Sequence, residues 1–248
     1  MTGVQTCALP IYALLAARRI DAVLVPAEVP GAQLEPVFEG LKRLRNLDGL
    51  ILTMPHKVGM CALVDELLPD GRNAGAINAA RRARDGRWIG DMFDGRGYTG
   101  ALERRGFDPR GKSVHMIGAG GVARAMAFAL AKKGIASLSV VDIEKSRAGA
   151  LAKDLQKTSG LRSEARDGLE SADIVINATP LGMKEGDPLP CDPGKLRPGT
   201  LVSDVTTKPE ITPFLAAARA RGLALTSGRE MFEAQAELIA DFFGWSRV

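Results

Sequence analysis

Residues Ser113–Arg124 read Ser-Val-His-Met-Ile-Gly-Ala-Gly-Gly-Val-Ala-Arg, which sets Gly118, Gly120, Gly121 and Ala123 in a G-x-G-x-x-A pattern. That spacing suits the holding of a dinucleotide's pyrophosphate. Gly118 permits a tight turn after a strand, Gly120 lets backbone approach the phosphates, and Ala123 lets the next helix lie close on the strand. The N–H groups that open this helix then face the negative charge. A glycine pattern alone is weak evidence, and a bare structural turn is the alternative. Here strand, turn, helix and second strand follow in order. Asp142 closes the second strand, 24 residues after Gly118. A carboxylate there accepts hydrogen bonds from ribose hydroxyls and repels a 2′-phosphate. It could also cap the helix that begins near Glu144, and Lys145 and Arg147 could soften the repulsion. The expected cofactor is NAD or NADP, with NAD favoured from Asp142.

A second set of polar residues lies earlier. Thr53-Met-Pro55-His56-Lys57, Gly75-Ala-Ile-Asn78 and Gly90-Asp91-Met-Phe-Asp94-Gly95 stand at the ends of expected strands, where open α/β sheets place ligand contacts. Taken singly, each has a plainer reading. A lysine at a helix start is more often a solvated charge, Asn78 a turn former, and Asp94 an N-cap.

The elements that must carry these residues are legible in outline. Before residue 97, Ala22–Val25 and Gly49–Leu52 read as buried strands, and Leu34–Leu44 has apolar residues at helical spacing. Pro55–Leu68 reads as a helix opened by its proline; Ala76–Ala79 and Arg87–Gly90 are weaker strands; Gly95–Arg105 is a linking helix. After the turn at Pro109–Lys112 the rhythm becomes β–α–β. Strands are expected at 113–117, 137–141, 173–177 and 201–205, helices at 121–133, 145–156 and 213–221, and a last amphipathic helix at 229–243. The expected class is α/β, with parallel sheets covered by helices on both faces. Residues 12–97 would form a substrate-binding domain and 98–224 a Rossmann NAD(P)-binding domain, with 225–248 returning to the first.

Composition narrows the functional classes. Of 248 residues, 46% are apolar and 25% charged, and Lys plus Arg exceed Asp plus Glu by only 33 − 29 = 4. The basic residues are scattered, so neither nucleic acid nor membrane is an expected partner. Cys7, Cys61 and Cys191, with His56 and His115, make neither a disulfide framework nor a metal pattern. No metal is expected, and the expected compartment is the cytoplasm.

Together the ordered segments resemble the shikimate dehydrogenase family. That family carries T-x-P-x-K, G-A-x-N and G-D-x-x-D-G segments in this order. A Rossmann domain follows with G-A-G-G, then N-A-T-P-x-G-M and a late G-x-x-M-x-x-Q helix. The last two stand here as Asn177-Ala-Thr179-Pro-Leu-Gly182-Met183 and Gly228-Arg-Glu-Met231-Phe-Glu-Ala-Gln235. The resemblance runs from residue 12 to 248. It implies an NAD(P)-dependent oxidoreductase interconverting 3-dehydroshikimate and shikimate, or a related cyclic hydroxy acid such as quinate, as a monomer or homodimer. Lys57 and Asp94 would be the catalytic pair, since the alcohol proton must pass to a positioned base as hydride leaves carbon. Thr53, Asn78 and Gln235 would bind substrate hydroxyls. Thr179 and Gly182 would line the nicotinamide side, with Met183 and Gly228 close by. A methylene-tetrahydrofolate dehydrogenase, which shares the two-domain plan and a catalytic lysine, and a dinucleotide-binding module without catalysis are the alternatives.

The chain departs from the family's pattern in places. Ile51 replaces an Asn, Met92-Phe93 an Asn-Thr, and Thr207 a Tyr, swaps expected to remove polar contacts from the substrate site. A Ser-x-Ser loop that grips the substrate carboxylate is absent. Residues 1–11, MTGVQTCALPI, are what bases resembling a sequencing-library adapter encode. The leader is therefore expected to be foreign, with Cys7 part of it and the missing loop in the region it replaced.

Overall fold

The computed structural model describes residues 3–245 and builds two sheets. Residues 1, 2 and 246–248, the outer ends of the expected leader and of the C-terminal segment, lie outside the described residues.

The first sheet is formed by β1 (Gly49–Ile51), β2 (Glu66–Leu67), β3 (Ala79–Arg82) and β4 (Trp88–Asp91), in the order β1-β3-β4-β2. It is mixed, not parallel as expected. β3 is antiparallel to both β1 and β4, and only β2 runs parallel to β4. The cause is a hairpin at Asp85-Gly86, where Gly86 has φ +88° and Ala83 N–H donates to the Arg87 carbonyl. Asp-Gly between two apolar runs is a hairpin signal, and the β–α–β reading passed over it.

Other expectations fail locally. Ala22–Val25 forms no strand, and Val23 and Val25 are 87% and 74% exposed. Among the described residues β1 is bonded to β3 alone and does not take up this run as a second neighbour. Pro55–Leu68 shrinks to α3 (His56–Gly59) and a 3-10 turn at Met60–Ala62. The rest turns into sheet, because the Asp65 N–H donates to the Trp88 carbonyl and the Asp65 carboxylate accepts from the Trp88 N–H. The strand expected at Ala76–Ala79 is displaced to β3. The short helix α4 (Pro69–Ala74) was not anticipated; proline sits at its first position and left-handed Gly75 ends it.

Four strands of the second sheet fall where the sequence places them, and its two edge strands, at residues 162–164 and 224–226, were not anticipated. The sheet comprises β5 (Ser113–Ile117), β6 (Ser137–Val141), β7 (Arg162–Glu164), β8 (Ile174–Asn177), β9 (Leu201–Asp204) and β10 (Ala224–Thr226). Their order is β10-β9-β8-β5-β6-β7 and every pairing is parallel. Register sets Ile117 beside Val141 and Asn177, and Asn177 beside Asp204. The carboxyl ends of four strands therefore form one rim. Helices α6 (Gly121–Lys132) and α7 (Lys145–Ser159) help cover one face; α8 (Pro213–Ala220) covers the other.

Two helices join the halves. α5 (Asp94–Arg104) leaves the first sheet directly after β4, and α9 (Gly228–Phe243) returns to it. α9 is set by a capping box: Ser227 Oγ accepts from Glu230 N, and the Glu230 carboxylate accepts from Ser227 N. Its apolar face meets α1 (Gly3–Ala17), which runs straight through the boundary expected after Ile11. Ile11, Leu14 and Leu15 are buried there beside Ala236, Ile239 and Ala240. α5 is wedged between α6 and α9. A Cβ on Gly97 would stand 2.8 Å from both the Gln235 Cβ and the Met231 carbonyl oxygen, so glycine is what lets these two helices cross in contact.

Candidate active site

Helix α3 and the first turn of α5 bring together the two charges expected to do chemistry. Lys57 Nζ donates to Asp94 Oδ2 at 2.7 Å, with side chains 14% and 3% exposed. Lys57 is held by its backbone, whose carbonyl accepts from Ile77 N at 2.8 Å. Asp94 is held by its other oxygen, which accepts from Asn78 Nδ2 at 2.8 Å and Gln235 Nε2 at 2.6 Å. Asn78 Oδ1 in turn accepts from Phe93 N at 2.9 Å. Groups from four separate stretches of chain thus converge on one carboxylate. All the side-chain partners donate, which holds the charge in place and aims Lys57 along one edge.

This arrangement alters the expectation for Asn78 and Gln235. Both are buried, and each amide gives one N–H to Asp94 and keeps a second. Thr53 behaves as a free group: it is exposed, and its hydroxyl makes no hydrogen bond among the described residues. Three of the family departures lie in apolar surroundings. Met92 is buried with Ala74, Ala76 and Ala125, and Phe93 packs against α9 with its ring 5.2 Å from Phe242. Ile51 joins the Phe93 cluster. Their apolar side chains pack with core clusters and offer no polar group to a substrate. Thr207 does line an open groove of about 680 Å³, with Leu14, Arg104, Phe232 and Glu233 around it.

The glycine turn lies directly against this site. A Cβ on Gly121 would be 3.6 Å from the Ala76 Cβ, two residues from Asn78. Gly118 adopts φ +103°, and a Cβ there would come within 3.0 Å of Ala178 and Thr179. Only glycine permits both that conformation and that approach. In front of Gly120 a Cβ would meet nothing within 4 Å, and Ala123 is fully buried against the sheet. No side chain caps α6 at Gly120, which leaves its first N–H groups free for an anion. Asp142 sits at the rim beyond β6. Its Oδ2 accepts from Ala119 N at 2.7 Å and its Oδ1 from Glu144 N at 2.8 Å. It therefore braces the turn but does not cap α7, whose N-cap is Glu144 and carries no side-chain capping hydrogen bond. The next residue, Ile143, is fully exposed. Open space, free N–H groups and a rim carboxylate fit a dinucleotide.

Across the rim, Thr179 N and Oγ1 donate to Asn177 Oδ1 at 3.1 and 2.6 Å. Gly182, at φ +95°, lies over Thr212, and Met183 beside it is exposed. Gly228 opens α9 pressed against the carbonyl oxygens of Val205 and Thr206. All four stand on the side of the sheet where β8 and β9 end.

Sequence reasoning gave no role to two further carboxylates. Asp91 is buried; its Oδ1 accepts from Gly71 N at 2.8 Å and its Oδ2 pairs with Arg96. Burial pushes this carboxyl up, while the Gly71 N–H and Arg96 pull it down. Asp204, at the end of β9, is also buried. Its strand-end position was the signal available. Among the described residues no group of three or more His, Cys, Asp or Glu is arranged to hold a metal ion, and no helix is long and apolar enough to cross a membrane.

Comparison with known proteins agrees with this geometry. Residues 9–80 match the family model of the shikimate dehydrogenase substrate binding domain, and residues 101–182 that of shikimate / quinate 5-dehydrogenase. A shikimate dehydrogenase (NADP(+)) of Rubrobacter xylanophilus is 39% identical over 225 residues, covering 88% of this chain and 79% of the relative. Among solved structures, shikimate 5-dehydrogenase from Listeria monocytogenes in complex with shikimate and NAD superposes with a TM-score of 0.89 at 27% identity, covering all of this chain and 90% of that one. Quinate dehydrogenase from Corynebacterium glutamicum in complex with NAD gives 0.86 at 29% identity, covering 99% and 91%.

Proposed function

This chain belongs to the shikimate dehydrogenase family, and we propose from that premise that it interconverts 3-dehydroshikimate and shikimate with NAD as the preferred cofactor. It is an oxidoreductase acting on a CH–OH group. The observation that carries the finer reading is the 2.7 Å contact between Lys57 and Asp94, beside the glycine turn.

When bound, the dinucleotide supplies the hydride acceptor. The chain's own residues supply position and a proton path. With Asp94 Oδ1 occupied by two amides, Oδ2 and the Lys57 ammonium form the charged edge of the cluster that can meet an alcohol. Lys57 is the more exposed partner and has N–H groups beyond the one given to Asp94. In the reducing direction it donates a proton to the oxygen that becomes hydroxyl; in the oxidising direction the same edge accepts that proton. Asn78 and Gln235 keep the carboxylate from turning away. Thr53, exposed at the end of the same loop, offers a hydroxyl to the substrate. On the dinucleotide side, Gly118, Gly120, Gly121 and Ala123 form the pyrophosphate turn, and Thr179, Gly182, Met183 and Gly228 flank the nicotinamide.

Preference for NAD is supported at Asp142. Its carboxylate and that of Glu144 flank exposed Ile143 where a 2′-phosphate would lie, and Glu144 is paired with Arg147 at 2.8 Å. The Rubrobacter relative has NADP(+) in its name and the Listeria complex holds NAD, so the family admits both. The test is a matrix of shikimate and quinate, each with NAD and NADP, read by absorbance of the reduced cofactor. Highest kcat/KM with shikimate and NAD is expected. Faster turnover of quinate, or preference for NADP, would overturn the corresponding half of the reading.

A further inference from the structure

Asp204 has an environment that no step above uses. It is 2% exposed and ends β9 on the rim that carries the Thr179 loop. Its Oδ2 accepts from Asn177 Nδ2 at 3.1 Å and Thr212 Oγ1 at 2.8 Å, and its Oδ1 from Thr206 N at 2.9 Å. Among the described residues no Lys, Arg or His pairs with it. A buried carboxylate served only by neutral donors is held by its hydrogen bonds but keeps a net negative charge that a cation nearby would stabilise.

The hydrogen bonds run one way from this charge. Asn177 is buried completely and both of its amide protons are committed, to Asp204 and to the Leu181 carbonyl. Its oxygen therefore faces Thr179, accepting from that residue's N–H and hydroxyl. Thr212 Oγ1 accepts from Leu215 N while donating to Asp204, which fixes that hydroxyl as well. An acceptor-only group at position 204 thus sets the amide orientation of Asn177, and through it the shape of residues 178–183.

We propose that Asp204 is a positioning residue for the nicotinamide half of the dinucleotide, and that its uncancelled charge favours the oxidised, cationic ring over the neutral reduced one. This rests on the reading in which residues 178–183 flank the nicotinamide. Charge acts strongly here because the surroundings are dry. The consequence is a site that holds oxidised cofactor more firmly than the loop contacts alone would allow.

The test measures binding of NAD, NADH and ADP-ribose to the full chain by calorimetry, with the NADP and NADPH pair substituted if those bind tighter. Asp204→Asn is expected to weaken NAD by about tenfold and NADH by less than about threefold, leaving ADP-ribose unchanged. Equal losses for NAD and NADH, no loss for either, or a matching loss for ADP-ribose would overturn the proposal. Thr212→Ala keeps the charge but removes one donor, so it should lower the urea midpoint and leave the NAD-to-NADH affinity ratio unmoved. A changed ratio in that variant overturns the proposal even if Asp204→Asn fails to fold. If the unaltered protein binds ADP-ribose as tightly as either full dinucleotide, the nicotinamide placement itself has failed.

Discussion

Asp94→Asn is the sharpest perturbation of the site because it alters charge and donor direction without altering shape. In the native arrangement both oxygens of Asp94 accept, from Asn78 at 2.8 Å, Gln235 at 2.6 Å and Lys57 at 2.7 Å. A carboxamide offers one oxygen and one NH₂ group, so at least one donor now meets another donor. With its oxygen toward Asn78 and Gln235, the NH₂ confronts the Lys57 ammonium; turned round, it confronts two buried amides. Losing a charge-assisted bond and stranding a buried donor costs about 2–4 kcal/mol of stability, the lower part of that range if Lys57 swings to solvent. The effect on chemistry should be larger. Loss of a positioned proton relay lowers kcat by about 10²–10⁴-fold, while dinucleotide affinity, set on the far side of the cleft, changes by less than about threefold. Steady-state turnover at saturating shikimate, cofactor titration and urea unfolding separate these effects. Turnover within about threefold of the unaltered enzyme would refute the assignment. A parallel collapse of cofactor binding would show that Asp94 matters for the fold rather than for proton transfer.

Three further outcomes follow from other parts of the structure. Asp142→Asn keeps an acceptor for one of the two backbone N–H groups and removes charge beside the 2′ position, so the NADP-to-NAD ratio of kcat/KM should rise by about tenfold; an unchanged ratio argues against Asp142 as the discriminating group. Gly97→Ala places a methyl 2.8 Å from the Met231 carbonyl oxygen and Gln235 Cβ; it should cost about 1–3 kcal/mol and lower kcat by displacing Gln235, as urea melts and turnover would reveal together. Burial lowers the pKa of His115, whose Nδ1 meets Ser139 Oγ at 2.9 Å, with Asp167 partly opposing and Arg166 adding to the shift. The unfolded chain therefore binds the proton more readily, and stability present above about pH 6.5 should fall as pH drops from there toward the folded pKa. Thermal melts from pH 7.5 to 5 should show that slope, and His115→Asn should flatten it.

The four central strands of the second sheet were legible because strand and helix alternate there and glycines such as Gly118, Gly134 and Gly160 mark the boundaries. The first sheet was not. Its apolar runs are short, and tertiary neighbours decide whether each becomes strand, helix or neither: Asp65 bonding Trp88 makes sheet of an expected helix, and Val23–Val25 finds no partner. Site residues show the same division. Lys57 and Asp94 were reachable through their motifs. The commitment of Asn78 and Gln235 to Asp94 was not, since it depends on α9 crossing α5 at Gly97. Met92 and Phe93 could be judged only in place, because their motif position says nothing of which side of the backbone turns inward.

Among the described residues β1 pairs on one side only and the valines at 23 and 25 are bare, a combination expected to make this margin adhesive. An unsatisfied ladder flanked by apolar side chains recruits extended polypeptide of any origin. Such self-adhesion is second order in protein, so its rate quadruples when the solution is made twice as concentrated. Dilute stocks should outlast concentrated ones, and clumping should begin at this margin while the nucleotide-holding half is still intact.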